Sequence, residues 1–208
     1  MSTGAGIVIV DYGTGNLNSI KRTLDRMGIG CVISSSASDI VDAGKIILPG
    51  VGHFGTAMSK LNSLGLADVL NDEVVTNRKP VLGICLGMEI MAKTSEEGDA
   101  NGFGWLDARA VRFDISDSDR HKIPHMGWNE ISIKKSSRLM EGIDDTAEFY
   151  FAHSYHLMLD DPTDLLAETE YGSRFPSAIE RENIFGVQFH PEKSHDIGAR
   201  LLKNFVEM

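Results

Sequence analysis

The residue in this chain that is best placed to act as a nucleophile is Cys85, which lies between Gly83 and Gly87. The apolar run 81–84 predicts a buried strand, and apolar residues at helical spacing predict a helix over 86–93. Glycines around such a strand-to-helix turn allow the sharp reversal that presents a nucleophile. A following helix also lowers a thiol pKa, so we expect Cys85 to be reactive. Because a lone cysteine among apolar residues is equally typical of a core, a second feature must decide.

The second feature is the sequence His190-Pro191-Glu192 at the end of a predicted strand, 184–190. Residues i and i+2 of an extended chain share a face, and Pro191 disfavours the helical region for His190. A carboxylate beside an imidazole holds its tautomer and stabilises its cation. Cys85, His190 and Glu192 are therefore predicted to form a catalytic triad with a thiol nucleophile. The alternative for His190 and Glu192 alone is a solvated strand end with a turn proline.

The elements that must position these residues alternate between strands and helices in the first half of the chain. The predicted strands are 7–10, 31–34, 45–48 and 81–84, and the predicted helices 17–27, 38–43, 56–61, 66–77 and 86–93. This pattern predicts an α/β fold with a doubly wound, mainly parallel, flavodoxin-like sheet. Ligands bind beyond the carboxyl ends of such strands, where both Cys85 and the glycine-rich loop 49–55 would lie.

Beyond residue 95 the pattern changes to shorter, often alternating strands. They are predicted over 110–113, 128–134, 149–159, 165–171, 178–182 and 184–190, with an exposed loop over 114–122 and a closing helix over 196–206. We expect these strands to form an antiparallel extension of the same sheet. Residues 1–208 would then form one domain, a size that buries a core without disulfides.

Composition narrows the classes of partner. With 30 acidic and 20 basic residues the formal charge is -10, which argues against binding to nucleic acid or anionic membrane. Two cysteines indicate a reducing compartment, and no run is long enough to cross a bilayer, so we expect a cytoplasmic protein.

We assign no metal and no cofactor, because the other histidines lack zinc-ligand spacing. The run Gly13-Thr14-Gly15 also lacks the third glycine of a dinucleotide fingerprint.

Three blocks, 49–52, 83–87 and 187–192, resemble the signature blocks of the class I (triad) glutamine amidotransferases. More narrowly, the runs 11–17, 49–54, 123–129 and 153–155 are similar to the HisH glutaminase subunits of imidazole glycerol phosphate synthase. The matching blocks extend from residue 7 to the last helix. The resemblance implies a glutamine amidotransferase fold and hydrolysis of L-glutamine to glutamate and ammonia.

The resemblance also implies roles for further residues. The N–H of Leu86 and an N–H of Val51 or Gly52 are the candidate oxyanion donors. The glutamine pocket would be lined by Gly52, Glu89, His153, Ser154 and Tyr155. For the last three of these residues, the alternative is a plain aromatic-rich strand.

A partner is implied because free ammonia would be protonated and diffuse away. Relatives of this type pair with a (β/α)₈ cyclase subunit, which uses the ammonia to make imidazole glycerol phosphate in histidine biosynthesis. Asn16, Met126 and Trp128 are the candidate docking residues. The alternative for Trp128 is ordinary core packing.

Two departures from the family pattern keep alternatives open. Position 89 is usually Gln in the family, and Glu89 could raise the thiol pKa, be protonated, or bind the substrate ammonium. The segment 106–111 is more similar to paralogues that supply ammonia to a surface-sugar amidation enzyme. The other hypotheses are a stand-alone cysteine hydrolase of γ-glutamyl substrates and a catalytically silent binding subunit.

Overall fold

A computed structural model describes residues 6–115 and 121–208. The strands are β1 Ile7–Val10, β2 Cys31–Ser34, β3 Lys45–Gly50, β4 Val81–Cys85, β5 Thr94–Ser95, β6 Ala100–Asn101, β7 Ala108–Arg112, β8 His125–Glu130, β9 Ser132–Ile133, β10 Glu148–His153, β11 Tyr155–Leu159, β12 Leu165–Tyr171, β13 Ser173–Arg181 and β14 Ile184–Val187. The helices are α1 Leu17–Arg26, α2 Ala37–Asp42, α3 Phe54–Ser63, α4 Leu66–Asn71, α5 Leu86–Glu89 and α6 His195–Glu207. Of the exposed loop predicted over 114–122, positions 116–120 lie outside the described residues.

The main sheet has the strand order β2-β1-β3-β4-β14-β13-β12-β9 within the described residues. Its first five strands are parallel, and β13, β12 and β9 continue it antiparallel. This confirms the predicted α/β sheet with an antiparallel extension. The parallel strands β3, β4 and β14 lie side by side, so their carboxyl ends meet at one edge of the sheet.

Both faces of the main sheet are covered, which explains why its central strands are apolar throughout. One apolar cluster joins alternate strand residues such as Val8 and Leu48 to α2, α3 and α4. The other joins Ile9 and Ile47 to α1 and α6. In the part of the chain that the structure describes, no helix is long and apolar enough to cross a membrane.

The expectation that every later strand extends the main sheet is wrong. Strands β8 and β10 pair as a separate two-stranded sheet, and β11, β7, β5 and β6 form another. The strand predicted over 149–159 is therefore two strands that part at Ser154 and pair with different neighbours. Alternation of side chains cannot reveal such a change of partner, because it continues through the break.

The helix predicted over 86–93 is also wrong in its length, because α5 ends at Glu89. The carbonyl groups of Ile90, Met91 and Ala92 accept hydrogen bonds from the backbone of residues 103–106 instead of continuing the helix. The helix predicted over 66–77 likewise ends at Asn71 and continues as a π-helical turn, Asp72–Thr76. Apolar spacing alone could not distinguish these outcomes from longer helices.

The close packing of α5 on β3 generates the first prediction. A Cβ atom at Gly87 would lie 1.7 Å from the carbonyl oxygen of Leu48, whereas a Cβ at Gly30 would meet nothing within 4 Å. We expect Gly87→Ala to lower the free energy of unfolding by about 3 kcal/mol or more, the upper range for overpacking. Gly30→Ala should change it by less than about 0.5 kcal/mol. Urea denaturation measures both, and equal values for the two variants would contradict the packing described here.

Candidate active site

Cys85 lies at the last position of β4, at a reversal of the chain into α5. Its backbone has φ of 54° and ψ of -116°, a conformation that non-glycine residues rarely adopt. Such strain at a strand-to-helix turn is characteristic of nucleophile elbows. The turn closes tightly because a Cβ at Gly83 would lie 2.7 Å from the carbonyl oxygen of Gly87. The predicted elbow is thus present in the structure.

The prediction that the following helix lowers the pKa of Cys85 is wrong for this structure. Burial raises the pKa of the thiol well above its ordinary value, and Glu89 in its ionised form and the charge of Glu192 raise it further. The backbone N–H of Leu86 lowers it, but by less than burial raises it. Because α5 has only four residues, it lacks the aligned peptide dipoles of a longer helix. Burial therefore favours the protonated thiol of Cys85 before substrate binds.

The side chains of His190 and Glu192 form a buried hydrogen-bonded pair beyond the end of β14. The Nδ1 atom of His190 lies 2.9 Å from Oε1 of Glu192, and His190 is only 2% exposed. His190 is extended, as predicted for a residue before proline, whereas Glu192 belongs to the 3₁₀ turn Pro191–Lys193. The strand predicted to reach residue 190 ends at Val187.

The parallel pairing of β4 with β14 brings the two halves of the predicted triad to the same edge of the sheet. Ile84 is the register partner of Val187, so Cys85 and Gln188 follow at the same level. Gln188 Nε2 donates to Cys85 Sγ at 3.9 Å. The charge of Glu192 lies close enough to affect the pKa of Cys85. The Cys85 thiol and the His190–Glu192 pair therefore lie close together at this edge of the sheet.

A pocket of about 180 Å³ opens onto Cys85. Its lining includes all five residues predicted for the glutamine pocket and all three predicted oxyanion donors: Val51, Gly52, Cys85, Leu86, Glu89, Glu97, Pro124, Met126, Ala152, His153, Ser154 and Tyr155. His190 is not among these lining residues. The structure thus brings the predicted substrate-binding residues together around Cys85 from three separate parts of the chain.

Two acidic side chains, Glu89 and Glu97, line this pocket together. Burial raises the pKa of Glu89 to about 8, although Gln188 Nε2 donates to its Oε1 at 2.8 Å. Of the three options for Glu89, the structure favours a protonated carboxyl at neutral pH in the empty pocket. The charge of Glu97 raises the pKa of Glu89 further.

Sequence reasoning missed Gln188 and Glu97. Gln188 lies two residues before His190, so strand alternation could have placed both side chains on one face. Glu97 accepts a hydrogen bond from the N–H of Phe54 at the start of α3, 2.7 Å away. No pattern in the sequence connects Glu97 with that helix, because the two segments are 43 residues apart.

The loop after β3 carries the remaining predicted oxyanion donors. The N–H of Val51 donates to the hydroxyl oxygen of Thr14 at 3.3 Å, and that hydroxyl donates to the carbonyl oxygen of Val51. Tyr12 also holds this loop, because its hydroxyl donates to the carbonyl oxygen of Pro49 at 2.7 Å. In this structure the Val51 N–H therefore has a partner within the protein, and Thr14 is a further residue that the sequence analysis missed.

Of the three predicted docking residues, Met126 lines the pocket. Met126 is 64% exposed and Trp128 is 44% exposed, which excludes core packing as the explanation of Trp128. The indole of Trp128 stacks on the ring of His195, with 5.0 Å between centroids. Asn16 is less exposed, and its Nδ2 donates to Glu192 Oε1 at 3.4 Å. Asn16 is thus partly exposed at the protein surface and also contacts Glu192 of the predicted triad.

Within residues 6–115 and 121–208, no group of three or more His, Cys, Asp or Glu side chains could hold a metal ion. The histidines near the pocket bind one another or backbone carbonyl groups instead. His125 Nδ1 lies 3.0 Å from His153 Nε2, and His153 Nδ1 lies 2.6 Å from the carbonyl oxygen of Tyr155.

Comparison with known proteins bears directly on this arrangement. Residues 8–208 match the family described as "Glutamine amidotransferase class-I". The chain is 48% identical to "Imidazole glycerol phosphate synthase subunit HisH 2" of Pseudomonas aeruginosa, covering 97% of this chain and 99% of that protein. It is 44% identical to the protein of the same name in Methanococcus maripaludis, covering 97% and 98%. A crystal structure titled "glutamine amidotransferase" superposes with a TM-score of 0.77 at 21% identity, covering 97% of this chain and 98% of that one.

The raised pKa of Glu89 predicts a pH-dependent loss of stability. An acid with a folded pKa of about 8 and an ordinary value of 4.5 stays protonated in the folded protein while the unfolded chain ionises. Stability is therefore unaffected below about pH 4.5, falls between pH 4.5 and 8, and stays reduced above. We expect Glu89→Gln to be the more stable protein at pH 8. Its advantage should shrink by up to about 1.4 kcal/mol per pH unit on acidification to pH 5.

Denaturant unfolding of both proteins between pH 5 and pH 8 measures this difference. Glu148→Gln is the matched control, because Glu148 is exposed on β10. Its difference from the unmodified protein should stay flat across the range. A flat difference for Glu89→Gln would show that Glu89 is ionised in the folded protein.

Proposed function

We propose that residues 1–208 form one glutaminase domain that hydrolyses L-glutamine with Cys85 as nucleophile. The proposal is supported by the family to which this chain belongs, the class I glutamine amidotransferases. The observation that carries the proposal is the strained Cys85 elbow opening onto a pocket at the sheet edge where His190 pairs with buried Glu192. The chain is a glutamine-hydrolysing subunit of the HisH type, as its relatives are named.

The chemistry follows from the protonation states in the site. Because burial keeps Cys85 protonated, its proton must leave as the sulfur attacks the side-chain amide carbon of glutamine. His190 takes that proton at Nε2 and then gives it to the departing nitrogen, which leaves as ammonia. A thioester of Cys85 with the glutamyl group remains. Water then attacks the thioester with His190 as base, which releases glutamate and restores the thiol.

Glu192 fixes the orientation of His190 through the Nδ1–Oε1 contact of 2.9 Å. A carboxylate at this position selects the tautomer with a free Nε2 and stabilises the imidazolium that forms during attack. Asn16 donates to the same carboxylate oxygen and limits its rotation. Asn16 thus supports the orientation of the pair in addition to its proposed role in docking.

The tetrahedral intermediate requires two N–H donors. Leu86, the residue after the nucleophile, supplies one, and its N–H also lowers the pKa of the Cys85 thiol. The second comes from the loop that contains Val51 and Gly52. Because the Val51 N–H is bonded to Thr14, either Gly52 supplies the donor or the loop releases Thr14 during turnover. Loss of such a donor typically costs about 100- to 1,000-fold in rate.

The pocket is suited to binding the α-ammonium group of glutamine. Glu89 and Glu97 are two carboxyl groups that can pair with the substrate ammonium. A bound ammonium favours the ionised form of Glu89, so the carboxyl that is protonated in the empty pocket becomes charged when substrate binds. The amide of Gln188 holds Glu89 in place through the 2.8 Å hydrogen bond.

A partner that consumes the ammonia completes the function. The relatives are named as subunits of imidazole glycerol phosphate synthase, so the acceptor is a cyclase subunit in histidine biosynthesis. Met126, which lines the pocket, and Trp128, two residues further along β8, are both exposed and are suited to such docking. The names of the relatives do not favour the surface-sugar pathway, a stand-alone γ-glutamyl hydrolase or a silent subunit.

Ammonia release from glutamine tests the activity. We expect the purified chain with its cyclase partner to release ammonia, and Cys85→Ala to reduce the rate by at least about 1,000-fold because no other group can form the thioester. Cys31→Ala is the matched control, since Cys31 lies on the edge strand β2. Turnover that survives Cys85→Ala would exclude the thioester mechanism, and silence with the cyclase present would exclude the histidine pathway.

Complex formation tests the docking surface separately. We expect Trp128→Ala to weaken binding to the cyclase by about 30-fold or more, because a half-exposed Trp at an interface centre is a typical hot spot. Val75→Ala removes an exposed apolar side chain from the π-helical turn and should leave the Kd unchanged. Calorimetric titration measures both values, and equal Kd values for the two variants would remove Trp128 from the interface.

A further inference from the structure

Three side chains and one backbone carbonyl group form a hydrogen-bonded series behind the wall of the pocket that opens onto Cys85. Asn129 Nδ2 lies 3.3 Å from His125 Nε2, and His125 Nδ1 lies 3.0 Å from His153 Nε2. His153 Nδ1 then lies 2.6 Å from the carbonyl oxygen of Tyr155. His125 and His153 are 2% and 5% exposed. We call this set, from Asn129 to the Tyr155 carbonyl, the histidine series.

The direction of every hydrogen bond in the histidine series is fixed by its two ends. The Tyr155 carbonyl only accepts, so Nδ1 of His153 must carry a proton. At the other end, the N–H of Glu130 donates to Asn129 Oδ1 at 2.9 Å, so the Asn129 amide nitrogen faces His125. His125 Nε2 must then accept, and its Nδ1 must donate to His153. Both imidazoles are therefore Nδ1–H tautomers.

Both rings are uncharged, which the series requires. Burial lowers the pKa of His125 to about 4, and the charge of His121 lowers it further. Burial also lowers the pKa of His153 well below its ordinary value, with smaller contributions from His125, His156 and His190. Since a protonated ring would carry two N–H groups, it would oppose a donor at one contact of the series.

The end of the series lies in the wall of the substrate pocket. His153, Ser154 and Tyr155 line the pocket, and they form the link where the chain leaves β10 for β11 in another sheet. The carbonyl oxygen of Ser154 accepts a hydrogen bond from Phe113 N–H at 3.1 Å. The ring of His153 spans the link by binding the carbonyl two residues ahead. The position of the wall therefore depends on the orientation of that ring.

Strand β8 connects this series with the exposed surface. Side chains alternate along the strand, so His125 and Asn129 face the series while Met126 and Trp128 are exposed on the other side. His125 also stacks on the ring of Tyr171, with 3.9 Å between centroids. The strand thus carries the proposed docking residues and the supports of the pocket wall in alternation.

We infer that His125 and Asn129 are positioning residues for glutamine binding: the series that they form holds the 153–155 wall of the pocket on one face of β8, and the opposite face of that strand carries the proposed docking residues. The inference rests on the proposed glutaminase function for its kinetic consequence. It assigns to these two residues a role that involves no contact with the reacting atoms. Loss of the series should therefore affect glutamine binding more than the chemical step.

The tautomers test the series without any assay of activity. Histidine ¹⁵N chemical shifts of the full-length protein at pH 7 report which ring nitrogen carries the proton. We expect His125 and His153 both to be neutral Nδ1–H tautomers. Asn129→Asp replaces the donor opposite His125 Nε2 by a carboxylate, so Nε2 should gain a proton while Nδ1 keeps the one that it donates to His153, and the His125 ring should become charged. A neutral Nε2–H form or a charged ring at His153 in the unmodified protein would overturn the inference.

Steady-state kinetics of the complex test the positioning role. His125→Phe keeps an aromatic ring against Tyr171 but removes both nitrogens, and we expect KM for glutamine to rise about tenfold, the equivalent of one hydrogen bond, with kcat within about twofold. His125→Asn retains a donor near the Nδ1 position and should recover most of the loss. Tyr171→Phe keeps the stack and removes only the hydroxyl that binds the Lys122 backbone, so KM should not change.

The outcomes separate this inference from the proposed function. If the unmodified complex releases no ammonia, the proposed function fails, while amide hydrogen exchange at residues 154 and 155 still tests the wall in His125→Phe. Faster exchange there than in Tyr171→Phe supports the positioning role. Unchanged exchange, or a fall in kcat with an unchanged KM in an active complex, would overturn it.

Discussion

The close approach of the Cys85 turn to the neighbouring strands is the constraint on which this site depends. The backbone at Gly87 lies directly against the carbonyl oxygen of Leu48, and Gly83 faces the backbone of the same turn. Side chains at these positions would push α5 away from β3. The thiol would then no longer lie between the loop after β3 and the end of β14. Packing of backbone on backbone thus determines which groups the nucleophile can reach.

Burial has a second effect, because it suppresses charge in the empty site. It raises the pKa of Cys85 and of Glu89, and it lowers the pKa of His125 and of His153. Each shift favours the neutral form of its group, as expected where desolvation outweighs nearby opposite charge. Attack by the thiol must therefore create charge at the moment of reaction. The Glu192 carboxylate, fixed beside His190, provides the compensation within the site.

Much of this arrangement could be predicted from local patterns in the sequence. The elbow at Cys85, the extended backbone of His190 and the parallel strands around them follow from glycine spacing, a proline and apolar runs. What could not be predicted depends on contacts between distant segments. The end of α5 is set by hydrogen bonds from residues 103–106, and the break at Ser154 by a change of sheet.

The ionisation of the thiol could not be predicted for the same reason. The helix after Cys85, which is a local feature, predicts a lowered thiol pKa. In the structure it follows from burial, which depends on every element packed around the turn. Gln188 was adjacent to the predicted triad in sequence, yet its role becomes visible only where β14 lies beside β4. Residue type and spacing therefore predicted which groups are present more reliably than their ionisation.

The proposed docking surface and the proposed active site share the same short segments of chain. Asn16 is two residues from Thr14, which holds the Val51 loop, and it donates directly to Glu192. Met126 follows His125, which supports the pocket wall. A partner that shifts Asn16 or Met126 by a small distance would therefore move an oxyanion loop, a triad carboxylate or a pocket wall without any long-range change of fold.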